Sequence, residues 1–164
     1  MDQTPFSLRP IAVVHSPRTD LRDDFWGDVV AEIELSPDLP DDSLDGLTDF
    51  SHAEIIFIFD RVAPGSVITS ARHPRNNTAW PKVGIFAQRT KGRTNRLGST
   101  IVRIIGQDGR RLRVQGLDAI DGTPVLDIKP VMSEFLPREV VRQPDWSCEL
   151  MRDYWRSTRE REPD

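Results

Sequence analysis

Asp108-Gly109 stands between two β-rich runs, Thr100–Gln107 and Arg110–Leu117. An Asp-Gly pair accepts the positive backbone angles of a tight turn, so this spacing predicts an antiparallel hairpin. Other short runs of the same kind surround it. Ile11–His15 is β-branched and is stopped by Ser16-Pro17-Arg18, because proline cannot donate to a ladder. Asp28–Leu35 follows, and its second half, Ala31–Leu35, alternates apolar and acidic residues, the period of a strand with one wet face. His52–Val62 is the most apolar run and the candidate core strand. Val83–Gln88 and Val125–Ile128 are further short strands, the latter after the turn Asp121-Gly122-Thr123-Pro124. About seven short strands with turns between them point to a barrel or sandwich rather than to βαβ units. No Gly-x-Gly-x-x-Gly stands between a strand and a helix, so a Rossmann-type nucleotide site is not expected.

The connections are uneven. A short helical turn is expected near Leu44–Leu47. Ala63–Pro81, with Pro64-Gly65, Pro74, Asn76-Asn77 and Pro81, reads as a long loop, functional or mobile. Arg89–Gly98 is a second, basic loop. At Pro144-Asp145 a helix is expected to begin, with Asp145 as N-cap. Trp146, Leu150 and Tyr154 then recur every four residues, with Met151 and Trp155 adjacent, forming an amphipathic stripe to pack on the barrel or on a partner subunit. The charged tail after Ser157 is expected to fray. The organisation is one domain, with residues 1–143 as the β body and 144–164 as its C-terminal helix and tail.

With 164 residues the chain can bury a real core. Its longest apolar stretch, Ile55–Phe59, is far too short to span a bilayer, and no signal peptide is visible, so a cytoplasmic location is the expectation. The single cysteine, Cys148, permits no intramolecular disulfide and is expected to be a packing residue. His15, His52 and His73 are far apart and lack metal-ligand spacing, so no metal is expected.

Net charge is −4, but its distribution is not uniform. Residues 1–70 hold 4 Lys/Arg against 14 Asp/Glu, whereas residues 71–113 hold 11 Lys/Arg against Asp108 alone. A segment of +10 in an acidic chain suggests a polyanionic partner; the alternative is that the two segments pair with each other in the fold.

Two loops concentrate polar groups. One runs Gly84-Ile85-Phe86-Ala87-Gln88-Arg89 into Arg93-Thr94-Asn95-Arg96-Leu97-Gly98-Ser99. The other runs Leu117-Asp118-Ala119-Ile120-Asp121-Gly122-Thr123-Pro124 into Asp127-Ile128-Lys129-Pro130. Gly98 and Gly122 can adopt positive φ or let a ligand approach the backbone. Arg89 can hold a carboxylate with a bidentate fork. Asp118 or Asp121 can accept from ribose hydroxyls or an amine.

These stretches, with Ile11–Pro17 and Leu47–His52, resemble the TrmO (YaeB, or TsaA-like) family over roughly residues 8–131. The most specific match is to its Leu-Asp-x-x-Asp-Gly-Thr-Pro-x-x-Asp-Ile-Lys-Pro signature. The resemblance implies a small antiparallel β-barrel, here of about seven strands with a C-terminal helix, working as a homodimer. It implies S-adenosylmethionine as cofactor and N6-methylation of threonylcarbamoyl-adenosine beside the tRNA anticodon. By matching position, Arg89, Leu117, Asp118, Ala119, Ile120 and Asp121 would line the cofactor pocket. Arg93, Asn95 and Gly98 match the family's Arg-Pro-Asn-Pro-x-Gly loop; with Arg96 they would face the substrate, and the +10 segment would meet tRNA phosphates.

This chain departs from the family where the substrate would lie. Thr94 and Arg96 replace two prolines, implying a less rigid loop with an added charge. Asp60-Arg61 stands where Phe-His-Gln continues in the family, and Val131-Met132-Ser133-Glu134 where Tyr and an acidic run are usual. The larger bacterial members also carry a second C-terminal domain, for which this chain has no room. For direct methyl transfer to a poorly nucleophilic nitrogen, His52, Asp60 and Asp121 are the candidate proton acceptors. Two alternatives stay open: a methyltransferase for a small molecule or another nucleoside, and a non-catalytic S-adenosylmethionine- or RNA-binding module.

Overall fold

A computed structural model of the chain describes residues 5–160. Six strands close into one antiparallel barrel: β1 (Ala12–His15), β2 (Val30–Leu35), β3 (His52–Ile58), β4 (Leu97–Asp108), β5 (Arg111–Gln115) and β6 (Pro124–Pro130). Their order around the barrel is β1-β2-β5-β4-β3-β6. Residues alternate between the two faces of each strand. On β2, Ala31, Ile33 and Leu35 are buried. Glu32 and Glu34 point outward and meet Arg111 of β5 at 3.4 and 3.3 Å. Val14, Ile55, Phe57, Val102, Leu112, Val114 and Val125 complete the centre of the core.

The Asp108-Gly109 hairpin forms as expected, with Gly109 at φ +52° joining β4 to β5. β6 closes the barrel by pairing with β1 on one side and β3 on the other. Antiparallel order sends all three long connections to one end: residues 16–29, 59–96 and 116–123. Residues 36–51 and the hairpin turn lie at the other.

The strand expected at Val83–Gln88 does not form. Val83 makes an isolated bridge to Arg72, and Ile85–Ala87 is a single 3-10 turn. The Gln88 side chain is buried, and its amide donates to the carbonyls of Arg72 (3.1 Å) and Val83 (3.0 Å), tying the segment down without a ladder. The core strand ends at Ile58 rather than Val62 because the chain turns there: the Asp60 N–H donates back to the Ile58 carbonyl (2.9 Å) and the Val62 N–H to the Phe59 carbonyl (3.2 Å). The long loop is also anchored. Arg75 forks onto Asp24 at 2.7 and 2.9 Å, and the Trp80 indole donates to Glu149 at 2.8 Å.

The C-terminal helix, α1, spans only Asp145–Leu150; Pro144 occupies the N-cap position and no side chain caps it. Tyr154 therefore lies beyond the helix. The backbone there turns toward residues 25–28 instead, where the N–H groups of Phe25 and Trp26 donate to the carbonyls of Asp153 (3.1 Å) and Tyr154 (2.8 Å). The stretch just past Ser157 is pinned as well. The Asp28 carboxylate accepts from the Ser157 hydroxyl (2.6 Å) and from the N–H (2.8 Å) and hydroxyl (3.0 Å) of Thr158. Cys148 is exposed on α1 rather than packed. No helix among the described residues is long and apolar enough to cross a membrane.

Candidate functional site

Residues 116–123 cross the end of the barrel that carries the long connections. The segment leaves β5 through Gly116, at φ +82°, and enters β6 after Gly122, at φ +80°, a region that favours glycine. Between them Leu117 (0% exposed) and Ala119 (2%) turn their side chains into the core. Both residues are closed to a ligand, so any contact in this stretch falls to the half-buried Asp118 and Ile120.

Asp118 stands between them and points the other way. Its Oδ1 accepts from the Thr100 hydroxyl of β4, and its Oδ2 from the Tyr154 hydroxyl. A carboxylate has about four lone-pair positions, so two remain for a ligand. Burial, and then the adjacent Asp118 charge and hydrogen bond, push the Tyr154 phenol well above its ordinary pKa and keep it a donor. Arg89 approaches the same strand; one Nη donates to the Ser99 carbonyl at 2.5 Å, and the rest of the exposed guanidinium can grip an anion.

Asp121 does not join Asp118. Its Oδ1 accepts from the Ser16 N–H at 3.0 Å, its carbonyl accepts from Arg61 at 2.8 Å, and its N–H donates to the Arg18 carbonyl at 2.8 Å. It borders a separate shallow hollow with His15, Pro17, Glu32 and Arg113. Ile120 is half-buried, and its carbonyl accepts from both the N–H (3.2 Å) and the hydroxyl (2.7 Å) of Thr123. Gly98 serves packing rather than ligand approach: a Cβ there would lie 2.4 Å from the Phe57 ring.

His52 and Asp60 occupy opposite ends of β3. His52 starts the strand, its Nδ1 2.7 Å from the Ser51 hydroxyl. Six residue steps at about 3.3 Å put it roughly 20 Å from the end where Asp118 lies. Asp60 is exposed just past the strand, at the same end as Asp118, and makes no ion pair with Arg61 among the described residues.

The basic loop is tethered by its own arginines. Arg93 donates to the Gln88 carbonyl and lies 5.8 Å from the Phe86 ring; Arg96 donates to the Val62 carbonyl at 2.8 Å; Asn95 is exposed. Arg96 sits at φ +54°. Proline is locked near −65° and cannot adopt that angle. The loop is therefore a different conformation, held by hydrogen bonds, not a loosened copy of one with proline at that position. The +10 segment divides between the two readings of its charge. Arg75, Lys91, Arg110 and Arg111 pair with acids of the first seventy residues. Arg89, Arg93 and Arg96 spend donors on carbonyls and make no ion pair among the described residues.

Sequence patterning does not single out Thr100 or Tyr154, the two hydroxyl partners of Asp118. Thr100 carries no motif, and Tyr154 reads as a rung of the helix stripe; its phenol, the chain's one tyrosine hydroxyl, is the available signal.

Residues 18–135 match the sequence model of the tRNA-methyltransferase O N-terminal domain. The chain belongs to that family. A probable S-adenosyl-L-methionine-binding protein of Pyrococcus abyssi is 34% identical to this TrmO-family chain, over 82% of the chain and 72% of the relative. A human tRNA (adenine(37)-N6)-methyltransferase is 38% identical over 64% of this chain but only 23% of its own length. The crystal structure of TrmO from Pseudomonas aeruginosa superposes with a TM-score of 0.69 at 26% identity, covering 87% of this chain and 62% of that one. The TrmO barrel is thus the fold of this chain. The chain spans less than a quarter of the human relative, and α1 and the segment after it lie beyond the matched residues.

Proposed function

We propose that this TrmO-family chain binds S-adenosyl-L-methionine at the Asp118 end of the barrel and transfers its methyl group to N6 of a tRNA adenine, a threonylcarbamoyl-adenosine beside the anticodon. The observation that carries the reading is the Asp118 carboxylate, which keeps two lone pairs beyond the Thr100 and Tyr154 hydroxyls, near strand β4 where the exposed Arg89 guanidinium is held. Those acceptors suit ribose hydroxyls or a methionyl amine, and Arg89 suits the methionyl carboxylate. The cofactor supplies an electrophilic methyl on a sulfonium, so the protein's task is alignment.

Arg89 and Asp118 orient the donor. Arg93, Asn95 and Arg96 meet the RNA, the two arginines offering their charge to phosphates. Asp60 is the candidate proton acceptor, sharing the end of the barrel that His52 does not. A homodimer in the cytoplasm completes the reading, and the outer face of β3 and β4 supports the dimer. Ile56, Ile58, Leu97, Ile101 and Ile105 lie there, where the outer faces of β2 and β5 carry Glu and Arg. A second reading, a different methyl acceptor, is favoured by Arg96 at an angle proline cannot take.

Calorimetric titration of the chain with S-adenosylmethionine tests the cofactor site. Micromolar binding is expected, weakened roughly ten-fold or more in Asp118→Ala and in Arg89→Ala, because each loses a charge-assisted hydrogen bond. No binding by the wild-type chain, or unchanged binding by Asp118→Ala, overturns the reading. Nucleoside analysis of tRNA after reaction then separates the expected acceptor from another.

A further inference from the structure

Tyr154 belongs to a segment outside the family's matched residues, yet it reaches the centre of the candidate site. The segment is held there from several sides. Backbone pairing to Phe25 and Trp26, three hydrogen bonds onto Asp28, and the Trp80–Glu149 contact fix its course. Gly27 leaves no slack, since a Cβ there would stand 1.9 Å from the Trp155 carbonyl oxygen. What this anchoring delivers is one hydroxyl on one carboxylate oxygen, opposite the Thr100 hydroxyl on the other.

We propose that Tyr154 is a positioning residue of this site: its hydroxyl, with that of Thr100, fixes the Asp118 carboxylate so that its remaining lone pairs face an incoming hydroxyl or ammonium group. The proposal rests on the reading of Asp118 as the cofactor contact. Thr100 alone leaves the carboxylate free to swing about the bond to that oxygen. A second donor on the opposite oxygen removes that freedom before the ligand arrives, so less ordering is paid on binding. Residues 145–158, beyond the family-matched residues, supply this second donor.

Two measurements on the full chain test it. In the first, S-adenosylmethionine is titrated into Tyr154→Phe, Asp118→Ala and the double variant. Tyr154→Phe is expected to bind roughly ten-fold more weakly, as for a lost hydrogen bond to a charged group. The double variant is expected to bind no more weakly than Asp118→Ala alone, because the tyrosine acts through the aspartate. Additive losses would mark a merely structural role and overturn the proposal. So would unchanged binding by Tyr154→Phe, and so would tighter binding, which would make the segment a plug over the carboxylate. Loss in Asp118→Ala with no loss in Tyr154→Phe overturns the tyrosine's role alone; no binding by the wild-type chain overturns the cofactor reading and this proposal with it.

The second needs no variant. The chain has a single tyrosine, so 3-fluorotyrosine incorporation gives one fluorine resonance, that of residue 154. Saturating S-adenosylmethionine is expected to shift it. An unmoved resonance on the saturated protein overturns the proposal even if Tyr154→Phe fails to fold.

Discussion

Tyr154 shows how much of a residue's role depends on where the backbone takes it. At four-residue spacing from Leu150 it reads as the next rung of a helix stripe, but the helix ends at Leu150 and the phenol turns to Asp118 instead. Its chemistry makes a pH prediction. The folded phenol pKa is raised above the ordinary value of about 10, by burial first and Asp118 second. Its stabilising contribution is therefore fully present below about pH 10 and is lost as pH rises above that toward the folded value. With one tyrosine in the chain, tyrosinate absorbance is expected to appear only together with unfolding, and Tyr154→Phe is expected to lack that alkaline loss of stability. Tyrosinate forming near pH 10 in the folded protein would show the phenol free of Asp118. Asp118 and Arg89 could be named as candidates in the sequence because carboxylate and guanidinium carry their chemistry in their identity, and Gly122 takes the positive φ its turn suggested. Thr100 could not be, since a buried threonine on a strand looks like any other until the opposite loop is placed.

At the scale of elements, the strands with clear patterning appeared where expected, and the hairpin at Asp108-Gly109 fixed the pairing of β4 with β5. Val83–Gln88 misled because a short apolar alternation is shared by strands and by tied-down loops; here the Gln88 amide decides. The C-terminal segment was misread for a related reason: periodicity reports an apolar face, not the length over which a helix persists. Its docking makes the element-scale prediction. Gly27→Ala would place a Cβ 1.9 Å from the Trp155 carbonyl oxygen, and backbone cannot yield cheaply. We expect a loss of about 1–3 kcal/mol, as for overpacking, which is a melting temperature lower by roughly 2–4 °C per kcal/mol. Hydrogen exchange is expected to rise at Phe25 and Trp26, whose N–H groups pair with Asp153 and Tyr154. A variant with wild-type melting and protection would show that the segment is not seated there.

At the scale of the whole molecule, charge and apolarity are distributed by face. The outer sides of β2 and β5 are laced with Glu32, Glu34, Arg111 and Arg113, while Ile101 (49% exposed), Ile105 (43%) and Leu97 (39%) stand in water on β4. Apolar side chains on the wet side of a sheet are where an interface is expected. Sedimentation of the wild-type chain at micromolar concentration is expected to give a dimer, and Ile101→Asp with Ile105→Asp a folded monomer. A wild-type monomer, or a double variant that still dimerises, would remove that face from consideration. The homodimer was an expectation from the family resemblance, but the surface was not: the C-terminal stripe was read as packing on the barrel or on a partner, and its Tyr154 turns to Asp118 of the same chain.

The closing strand carries one more consequence. β6 enters from the Leu117–Thr123 loop and seals the barrel between β1 and β3, so the first strand of the barrel waits for one more than a hundred residues later. Contacts of such sequence separation make for slow folding, on the order of milliseconds to seconds. The loop that presents Asp118 takes its shape only when that seam is shut. A ligand gripping the loop thus favours the sealed state over every open one, so its binding energy is also a lock on the seam. Recognition and closure become a single equilibrium.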